Sequence, residues 1–470
     1  MPIIGVKGTH DIFNNESCEF SYVENVMKRI SEFFAFTEVR PPVLEHSELF
    51  VRGVGEGSDV VRKEMYTFED KGHRSITLRP EFTACIARLI VQNKLTNLQE
   101  LPIKMYYCGP VFRYERPQLG RYRQFNQFGV ECIGHTNPIA DVDVISLAYT
   151  ILQSLGLENV TIKINTLGDD ESRNNYKVAL KEFFAKHIDD MCPDCKQRLE
   201  LNPLRILDCK VPEDQEIVKD APKMSDYLTE AAKEKFKFVL DLLDSMAIPY
   251  EVDDTLVRGL DYYSDTVFEF HYKSSKGNNY GAIGAGGHYG KLLKEIDGPD
   301  VPGVGFSFGV ERIVSVLKDD NLFPEEIYNH LDFYVMPMGV KSQPSAVAIA
   351  NAIRMNGYSV DMCLDDVKLG NMFKRAERKN TKFAVIIGEN EIANGKVVVK
   401  NLKTQEQLDV DVAHLREVID DLFHECECCG GDDCDCCCCD GDCDCDGDCD
   451  CDCEKEDHDC CCHGHNKKEN

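Results

Sequence analysis

The segment 425–470 limits where this 470-residue chain can fold. It consists almost entirely of cysteine and acidic residues, as in CECCGGDDCDCCCCDGDCDCDGDCDCDC, and it holds 16 of the 24 cysteines. Apolar residues other than cysteine are nearly absent, so the segment cannot bury enough surface to offset the conformational entropy lost on folding. We therefore expect a disordered Asp/Cys-rich tail, and any hydrophobic core must come from residues 1–424.

The tail allows two interpretations. In a reducing compartment its thiolates, its carboxylates and the side chains of His458, His463 and His465 would bind soft metal ions. Alternatively, it is an acidic appendage that keeps the protein in solution. The rest of the chain is only mildly acidic, with 65 acidic and 50 basic residues, so a nucleic-acid partner would require a local basic patch.

Length and hydropathy set the broad class. Residues 1–424 are too many for one ordinary core, so we expect several domains. No run of eighteen apolar residues occurs, so we expect no transmembrane helix and no membrane partner. The N-terminal sequence MPIIGVKGTHDIF lacks the basic and apolar regions of a signal peptide, which favours a cytoplasmic location.

Four arginines lie within fourteen residues in FRYERPQLGRYRQF, residues 112–125. The aromatic-rich segments KMYYCGPVF and FNQFGVECIG flank this stretch and predict two strands of a hairpin joined by its loop. Arginine forks suit phosphate oxyanions, so Arg113 and the distant Arg312 are candidates to hold one nucleotide. Glu115 and Phe125 could take its base. The alternative is a solvated charged hairpin, and no P-loop motif is present.

Other segments predict the remaining architecture. Apolar spacing predicts helices over 17–36 and 138–155, and the glycine-rich, charged residues 51–73 predict a mobile loop. An extended strand in VRGLDYYSDTVFEF would place Tyr262 and Tyr263 on opposite faces, and GAIGAGGHYG predicts a tight hairpin. Residues 168–232 predict a helical inserted subdomain. Alternating strands and helices over 332–423 predict a small α/β domain.

The inserted subdomain contains three cysteines with metal-ligand spacing. Cys192, Cys195 and Cys209 form C-x₂-C-x₁₃-C, and His187 is the nearest fourth candidate ligand in the sequence. Four such ligands would suit zinc. The alternative is three reduced cysteines that pack a small subdomain.

Five segments together resemble the histidyl-tRNA synthetases, a family of class II aminoacyl-tRNA synthetases. AFTEVRPPVLE resembles the first class II motif, GPVFRYERPQLGRYRQFNQFGVECIG the second and GVGFSFGVERI the third, while LRPEFT and RGLDYY resemble histidine-specific signatures. The resemblance implies an α/β protein with an α+β catalytic core: an antiparallel sheet flanked by helices in residues 1–325, with the insertion at about 168–232. It also implies a mixed α/β anticodon-binding domain at 331–424 and a homodimer whose interface includes Pro42.

The resemblance also implies residue roles. Arg113 and Arg258 would act on the α-phosphate of ATP, and Arg312 on the γ-phosphate, while Glu115 and Phe125 would bind adenine. The L-histidine pocket would comprise Glu81, Phe82, Thr83, Gln127, Glu131, Arg258, Tyr262, Tyr263 and Tyr289. In it, Glu81, Thr83 and Gln127 would bind the α-amino group, and Glu131 and Tyr263 the imidazole. Arg116 and Gln118 would reach the tRNA acceptor end.

The implied activity is histidine–tRNA ligation in translation. ATP and Mg²⁺ would support adenylate formation, and histidine would then pass to the 3′ end of tRNA(His). The substrate carboxylate is itself the nucleophile, so no side-chain nucleophile is needed. Six basic residues in KLGNMFKRAERKNTK, residues 368–382, could meet tRNA phosphates, with Lys374 and Arg375 as candidates; the alternative is a solvated helix face.

Two positions depart from the pattern of the family. Phe82 replaces a glycine that is common in bacterial members, and His288 replaces the arginine of GGRY. Two other readings stay open: a regulatory paralogue without catalysis, and a class II synthetase for another amino acid. The first would lack the ATP arginines, and the second would lack RGLDYY together with Glu131.

Overall fold

The computed structural model describes residues 3–115, 120–328 and 331–423, and the chain divides into two compact units after Tyr328. Arg116, Gln118 and the segment 425–470 lie outside the described residues, so the expectations for the acceptor-end contacts and for the tail stay predictions. None of the helices in the described ranges is long and apolar enough to cross a membrane.

The first unit contains eleven strands and eleven α-helices in the described residues. The strands are β1 (Thr37–Glu38), β2 (Leu44–His46), β3 (Tyr66–Glu69), β4 (Ser75–Leu78), β5 (Ile103–Phe112), β6 (Gln124–Ile133), β7 (Val160–Thr166), β8 (Tyr250–Val252), β9 (Tyr263–Lys273), β10 (Asn279–Tyr289) and β11 (Gly303–Gly309). The helices are α1 (Asn15–Phe33), α2 (Ser47–Val54), α3 (Thr83–Gln92), α4 (Leu95–Leu98), α5 (Ile139–Ser154), α6 (Asp170–Phe184), α7 (Pro193–Leu201), α8 (Pro212–Val218), α9 (Glu230–Ser245), α10 (Leu292–Glu295) and α11 (Val310–Asp320).

An eight-stranded sheet organises this unit, in the order β1-β5-β6-β11-β10-β9-β7-β8. Its six central strands pair antiparallel, and only the β1–β5 and β7–β8 pairs at the edges are parallel. A separate antiparallel sheet has the order β2-β4-β3. The predicted antiparallel sheet flanked by helices is confirmed.

The large sheet separates two hydrophobic cores because successive side chains of a strand point to opposite faces. On one face, Tyr106 and Phe128 pack with α1, α5 and α11 in a core that includes Val23 and Ile145. On the other face, Tyr107 packs with α3 and with the inserted helices α6 and α7. The insertion therefore shares a core with the strands of the catalytic sheet.

The predicted helices over 17–36 and 138–155 are α1 and α5, and the arginine-rich stretch joins β5 to β6 as a hairpin. The insertion is helical, as predicted. Two local predictions are wrong. Residues 51–73 include the end of α2, a π-helical turn at Val60–Glu64 and strand β3, because their apolar residues pack against α3. Residues 281–289 of the GAIGAGGHYG segment belong to β10, where the glycines permit close strand packing.

The second unit is a mixed sheet with helices. Its elements are β12 (Leu331–Pro337), α12 (Gln343–Met355), β13 (Val360–Met362), α13 (Leu369–Arg378), β14 (Thr381–Ile387), α14 (Glu389–Ala393), β15 (Lys396–Asn401), β16 (Gln407–Asp411) and α15 (Leu415–Phe423). The sheet order is β13-β12-β14-β15-β16, with parallel pairs at β12 and antiparallel pairs at β15. The predicted α/β character is confirmed; β16 and α14 were not predicted.

Candidate active site

A cavity of about 320 Å³ lies against the large sheet, where residues of β6, β9, β10 and β11 line it. Most of the residues predicted for ATP and histidine line it: Glu81, Thr83, Arg113, Glu115, Phe125, Gln127, Glu131, Arg258, Tyr262, Tyr263, Tyr289 and Arg312. Five separate stretches of sequence supply these side chains, at 81–83, 113–131, 258–263, 289 and 312, and the fold brings them together.

Glu131 forms the buried end of the cavity. Its side chain is 1% exposed, and three hydroxyl groups donate to it: Thr83 at 2.7 Å and Tyr107 at 3.2 Å to Oε1, and Tyr289 at 2.7 Å to Oε2. Burial raises the pKa of Glu131 to about 8, although the hydroxyl donors act in the opposite direction. The group is therefore a buried carboxyl that can gain or lose its proton near neutral pH.

Glycine at position 305 makes this arrangement possible. Gly305 in β11 lies directly opposite Glu131 in β6. A Cβ atom at Gly305 would stand 2.1 Å from Glu131 Oε2 and 2.4 Å from the Val130 carbonyl oxygen. Only a residue without a side chain leaves room for the carboxyl between the strands.

Glu81 and Gln127 stand beside this end of the cavity. Glu81 is buried and accepts hydrogen bonds from the Thr83 and Ala84 backbone N–H groups at 2.7 and 2.8 Å, so it also caps the start of α3. Burial raises the pKa of the Glu81 carboxyl. Gln127 donates to Ser307 Oγ at 2.8 Å, while its buried Oε1 has no hydrogen-bond partner among the described residues.

The open end of the cavity carries guanidinium groups. Arg113 donates from Nε to the Pro80 carbonyl at 2.8 Å and lies 5.6 Å from the Phe125 ring centre. Arg312 donates to the Ala282 carbonyl. Burial lowers the pKa of Arg312, and the neighbouring positive charges of Arg121 and Arg113 lower it further. Such clustering of like charges is unfavourable without an anion, which indicates a phosphate-binding region.

Arg258 lies between the two ends. It donates to Glu269 at 2.6 Å and lies 5.4 Å from the Tyr263 ring centre, while its buried Nε has no hydrogen-bond partner in the described part of the chain. Burial lowers the pKa of Arg258, but its interactions with Tyr263 and Glu269 outweigh burial and raise it overall. The group is a fixed cation between the buried carboxyl of Glu131 and the arginine-lined mouth.

Tyr262, Tyr263 and Phe82 lie differently from what the sequence indicated. Tyr262 and Tyr263 both line the cavity, with ring centres 4.5 Å apart. The prediction that they lie on opposite faces of a strand is therefore wrong. The reason is that β9 begins only at Tyr263, so Tyr262 is not part of the strand. The Phe82 ring does not line the cavity; it stacks on Tyr107 at 4.2 Å, beneath the Arg79 guanidinium. The Phe82 ring is therefore not placed to contact a ligand in the cavity directly. His288 lies outside the cavity lining, with Nδ1 2.9 Å from Asp141.

Sequence reasoning missed several lining residues: Arg121, Tyr122, Glu269, Ser307 and Glu311. Arg121 belongs to the arginine-rich stretch and could have been included on that signal. Glu311 precedes Arg312, accepts from the Asn126 backbone N–H at 2.8 Å, and has a pKa raised by burial to about 7. Glu269 carries no sequence signal, because its role depends on lying across from Arg258.

A second cluster lies in the insertion. The ligand atoms of Cys192, Cys195, Cys209 and Asp214 all lie within 4.8 Å of one another. His187, the fourth ligand considered from the sequence, is not in this cluster; its ring lies 5.2 Å from that of Phe183. In the described ranges, no group of three such ligands lies in the active-site cavity.

Comparisons with known proteins agree with this geometry. A family model described as histidyl-tRNA synthetase matches residues 8–313, and a model described as anticodon binding domain matches residues 332–422. The chain is 44% identical to the histidine–tRNA ligase of Thermosipho melanesiensis, over 88% of this chain and 99% of the relative. It is also 44% identical to that of Bacillus subtilis strain 168, over 86% and 95% of the two chains.

A solved structure of Staphylococcus aureus histidyl-tRNA synthetase superposes with a TM-score of 0.77 at 36% identity, and the match covers 89% of this chain and all of the other. The antiparallel sheet and its cavity thus define a class II aminoacyl-tRNA synthetase. Within that class, the chain belongs to the histidyl-tRNA synthetase family. Its activity is that of a histidine–tRNA ligase.

Proposed function

We propose that this cavity activates L-histidine with ATP to give histidyl-adenylate and pyrophosphate, and that histidine then passes to the 3′ end of tRNA(His). One observation carries the proposal. At one end of a single cavity lies the buried Glu131 carboxyl with its hydroxyl donors, and at the other end lies a mouth lined by Arg113, Arg121 and Arg312. The first end suits an imidazole N–H, and the second suits a polyphosphate.

Histidine would enter with its ring towards Glu131 and Tyr263. Its ammonium group would meet Glu81, Thr83 and the orphan oxygen of Gln127, while Tyr262 and Tyr289 would enclose the ring. The free Nε of Arg258 suits the substrate carboxylate. Phe82 would act indirectly, by holding the Tyr107 ring whose hydroxyl donates to Glu131.

ATP would occupy the arginine-lined end. Phe125 would stack on adenine and Glu115 would accept from its amino group, while Arg312 would bind the γ-phosphate. When the histidine carboxylate attacks the α-phosphorus, negative charge grows on the equatorial oxygens and pyrophosphate leaves. Arg113 and Arg258 are already fixed by hydrogen bonds, so they would stabilise that charge without reorganisation.

Mg²⁺ is expected for the family and would reach this site with ATP. Mg²⁺ commonly uses one or two carboxylates together with substrate phosphates, and Glu269 and Glu311 line the cavity in addition to Glu115, which is assigned to adenine. Glu269 fits better than Glu311, because Arg258 and His271 hold its pKa below the usual value despite burial, whereas burial raises that of Glu311. Held by Glu269, the ion would neutralise negative charge on the polyphosphate.

Selectivity for histidine would follow from the buried carboxyl. A ligand without an N–H at that position would leave the ionised Glu131 carboxylate short of one donor at the buried end of the cavity, where only the Thr83, Tyr107 and Tyr289 hydroxyls would remain. Sites built to hydrogen-bond a polar group can reject analogues that lack it by about 10⁴–10⁵. Histidine would therefore be chosen at the binding step.

The second unit would bind the tRNA. Helix α13 presents Lys374 and Arg378 at its exposed surface, whereas Arg375 is paired with Asp365 at 2.8 Å. Lys374 and Arg378 are therefore better candidates for phosphate contacts than Arg375. Arg116 and Gln118 keep their proposed role at the acceptor end, and the domain limits 1–325, 168–232, 331–424 and 425–470 stand as part of this proposal.

A homodimer would cover apolar surface at the first class II motif. Leu44 is 52% exposed and Phe68 is 47% exposed, and both belong to the small sheet next to Pro42. The buried Arg79 guanidinium donates to the Pro41 carbonyl at 2.7 Å and fixes this segment. A role in translation accords with the cytoplasmic location expected from the sequence.

The decisive experiment is ATP–pyrophosphate exchange on the purified full chain, with histidine and each of the other nineteen amino acids. We expect exchange with histidine alone. Exchange with a different amino acid would replace the proposed substrate. No exchange with any amino acid, from protein shown to be folded by circular dichroism, would favour the regulatory paralogue.

A further inference from the structure

We propose that Cys192, Cys195, Cys209 and Asp214 bind one zinc ion, and that this site holds the inserted subdomain against the loops around Arg258. The observation behind it is the closeness of four potential ligand atoms from two separate stretches of the insertion, all within 4.8 Å of one another. Cys192 and Cys195 flank the start of α7, Cys209 follows it, and Asp214 lies in the first turn of α8.

The distances between the ligand atoms suit tetrahedral coordination of one zinc ion. Zinc–sulfur bonds of about 2.3 Å place two tetrahedral sulfurs about 3.8 Å apart, and a sulfur and a carboxylate oxygen about 3.5 Å apart. The Sγ atoms of Cys192 and Cys209 are 3.9 Å apart, and Cys209 Sγ lies 3.2 Å from Asp214 Oδ2. Small side-chain shifts would bring all four atoms to ligand distance.

The backbone around the cluster is arranged to support thiolates. Cys192 caps α7, and its Sγ accepts from the Cys195 backbone N–H at 3.4 Å. The Asp214 carboxylate accepts from the Cys192 backbone N–H at 3.1 Å. These contacts orient one sulfur and the carboxylate, as the surroundings of metal sites orient their ligands.

Burial and donor count indicate a structural site. Cys195, Cys209 and Asp214 are buried, and Cys192 is partly buried. Three sulfurs and one oxygen fill four positions, which leaves none open for catalysis. Zinc binding to the three thiols would release their protons.

The position of the cluster gives it a consequence for the active site. Helix α7 leads from Cys192 to Arg198, and the following turn carries Arg205; both donate to Asp59, at 2.8 and 3.2 Å. The Arg205 guanidinium also donates to the Gly259 carbonyl, next to Arg258. Asn202 donates to Asp261 at 2.8 Å.

These contacts connect the insertion to two loops at the cavity. Although burial raises it, the pKa of Asp59 is lowered overall by Arg198 and Arg205. Asp59 precedes Val60, and both Val60 and Gly259 line the cavity. A metal ion at the start of α7 would therefore limit the freedom of the helix that positions the Arg258 loop.

The test follows individual cysteines in the full chain, because the cysteine-rich segment 425–470 would obscure total zinc content. The protein is loaded with zinc or treated with a zinc-selective chelator, then alkylated for timed intervals and mapped by peptide mass spectrometry. We expect zinc to slow alkylation of Cys192, Cys195 and Cys209 at least tenfold. Cys132, buried elsewhere in the sheet, is the internal control and should not respond.

Substitutions at Asp214 separate metal binding from hydrogen bonding. Asp214→Ala should abolish zinc protection, whereas Asp214→Cys should keep it, because a thiolate is also a zinc ligand; Asp214→Asn, which can still accept the Cys192 N–H, should lose it. Equal alkylation of the wild-type cysteines with and without zinc would overturn the site, whatever the stability of the variants. A Cys192–Cys209 disulfide in protein purified under reducing conditions would also overturn it.

The positioning role rests on the proposed function and has its own readout. Zinc removal should lower kcat for histidine-dependent pyrophosphate exchange at least fivefold, with KM for ATP changed less than twofold. Zinc protection without this change would keep the site and refute its role at Arg258. Absence of exchange even in the zinc-loaded protein would instead count against the proposed function.

Discussion

Removal of one hydroxyl group, by Tyr289→Phe, tests whether the donors around Glu131 create the histidine pocket. Tyr289 donates to Glu131 Oε2 at 2.7 Å from a fully buried position. A hydrogen bond to a charged group contributes about 1.5–3 kcal/mol. At about 1.4 kcal/mol per factor of ten, kcat/KM for histidine should fall about 10- to 150-fold above pH 8, where Glu131 is ionised.

The pH dependence gives a second, independent readout. Histidine binding through an imidazole N–H favours the ionised form of Glu131, whose pKa is about 8. Because burial raises this pKa and the Tyr289 hydroxyl lowers it, loss of the hydroxyl raises it further. In the wild type, kcat/KM should therefore rise with pH up to about 8, and in Tyr289→Phe this rise should move to higher pH.

A matched control comes from the same unit. Tyr272 also donates to a carboxylate at 2.7 Å, that of Asp320, but it lies outside the cavity lining. Tyr272→Phe should lower the free energy of unfolding by about 0.5–3 kcal/mol and leave kcat/KM for histidine within twofold of wild type. Pyrophosphate exchange measures both variants. The reasoning fails if Tyr289→Phe keeps its histidine kcat/KM, or if the two variants behave alike.

Two further substitutions test other parts of the structure. Gly305→Ala would place its Cβ 2.1 Å from Glu131 Oε2, so histidine activation should fall more than about 100-fold and the free energy of unfolding by about 1–3 kcal/mol. The control Gly290→Ala, whose Cβ meets Ser264 Oγ at an ordinary 3.5 Å, should change neither quantity. An active Gly305→Ala enzyme would contradict the geometry of the pocket. Charge reversal of Lys374 and Arg378 should raise KM for tRNA in aminoacylation but spare pyrophosphate exchange. The control Lys396→Glu on β15 should affect neither. Equal loss of aminoacylation and pyrophosphate exchange in the charge-reversal variant would argue against tRNA contact by α13.

The sequence was informative wherever the chemistry is contained in one short segment. The arginine-rich stretch predicted a hairpin, because two aromatic strands flank it. Periodicity predicted α1, which buries one face, and α5, which is buried on most of its sides. Periodicity gave less guidance over residues 51–73, where glycines and charges indicated a loop but tertiary packing favours a helix and a strand.

Short motifs were insufficient where a role depends on a partner across the sheet. Glu269 meets Arg258 only because strand β9 folds back beside its own preceding loop. Asp214 reaches the cysteines through the turn between α7 and α8, whereas His187 is near them only in sequence. Phe82 stands between two predicted ligands, yet its ring turns towards Tyr107 because that packing buries it.

Side-chain chemistry and hydrophobic patterning are local properties of a chain, so the family, the arginines, Glu131 and the limits of what can fold were all evident before folding was considered. The convergence of three hydroxyl groups on Glu131, the need for glycine at Gly305 and the contact of the insertion with Gly259 are apparent only in the folded protein. These contacts join residues 24 to 174 positions apart in the chain. Strand register and close packing set them, and neither is encoded by any single segment.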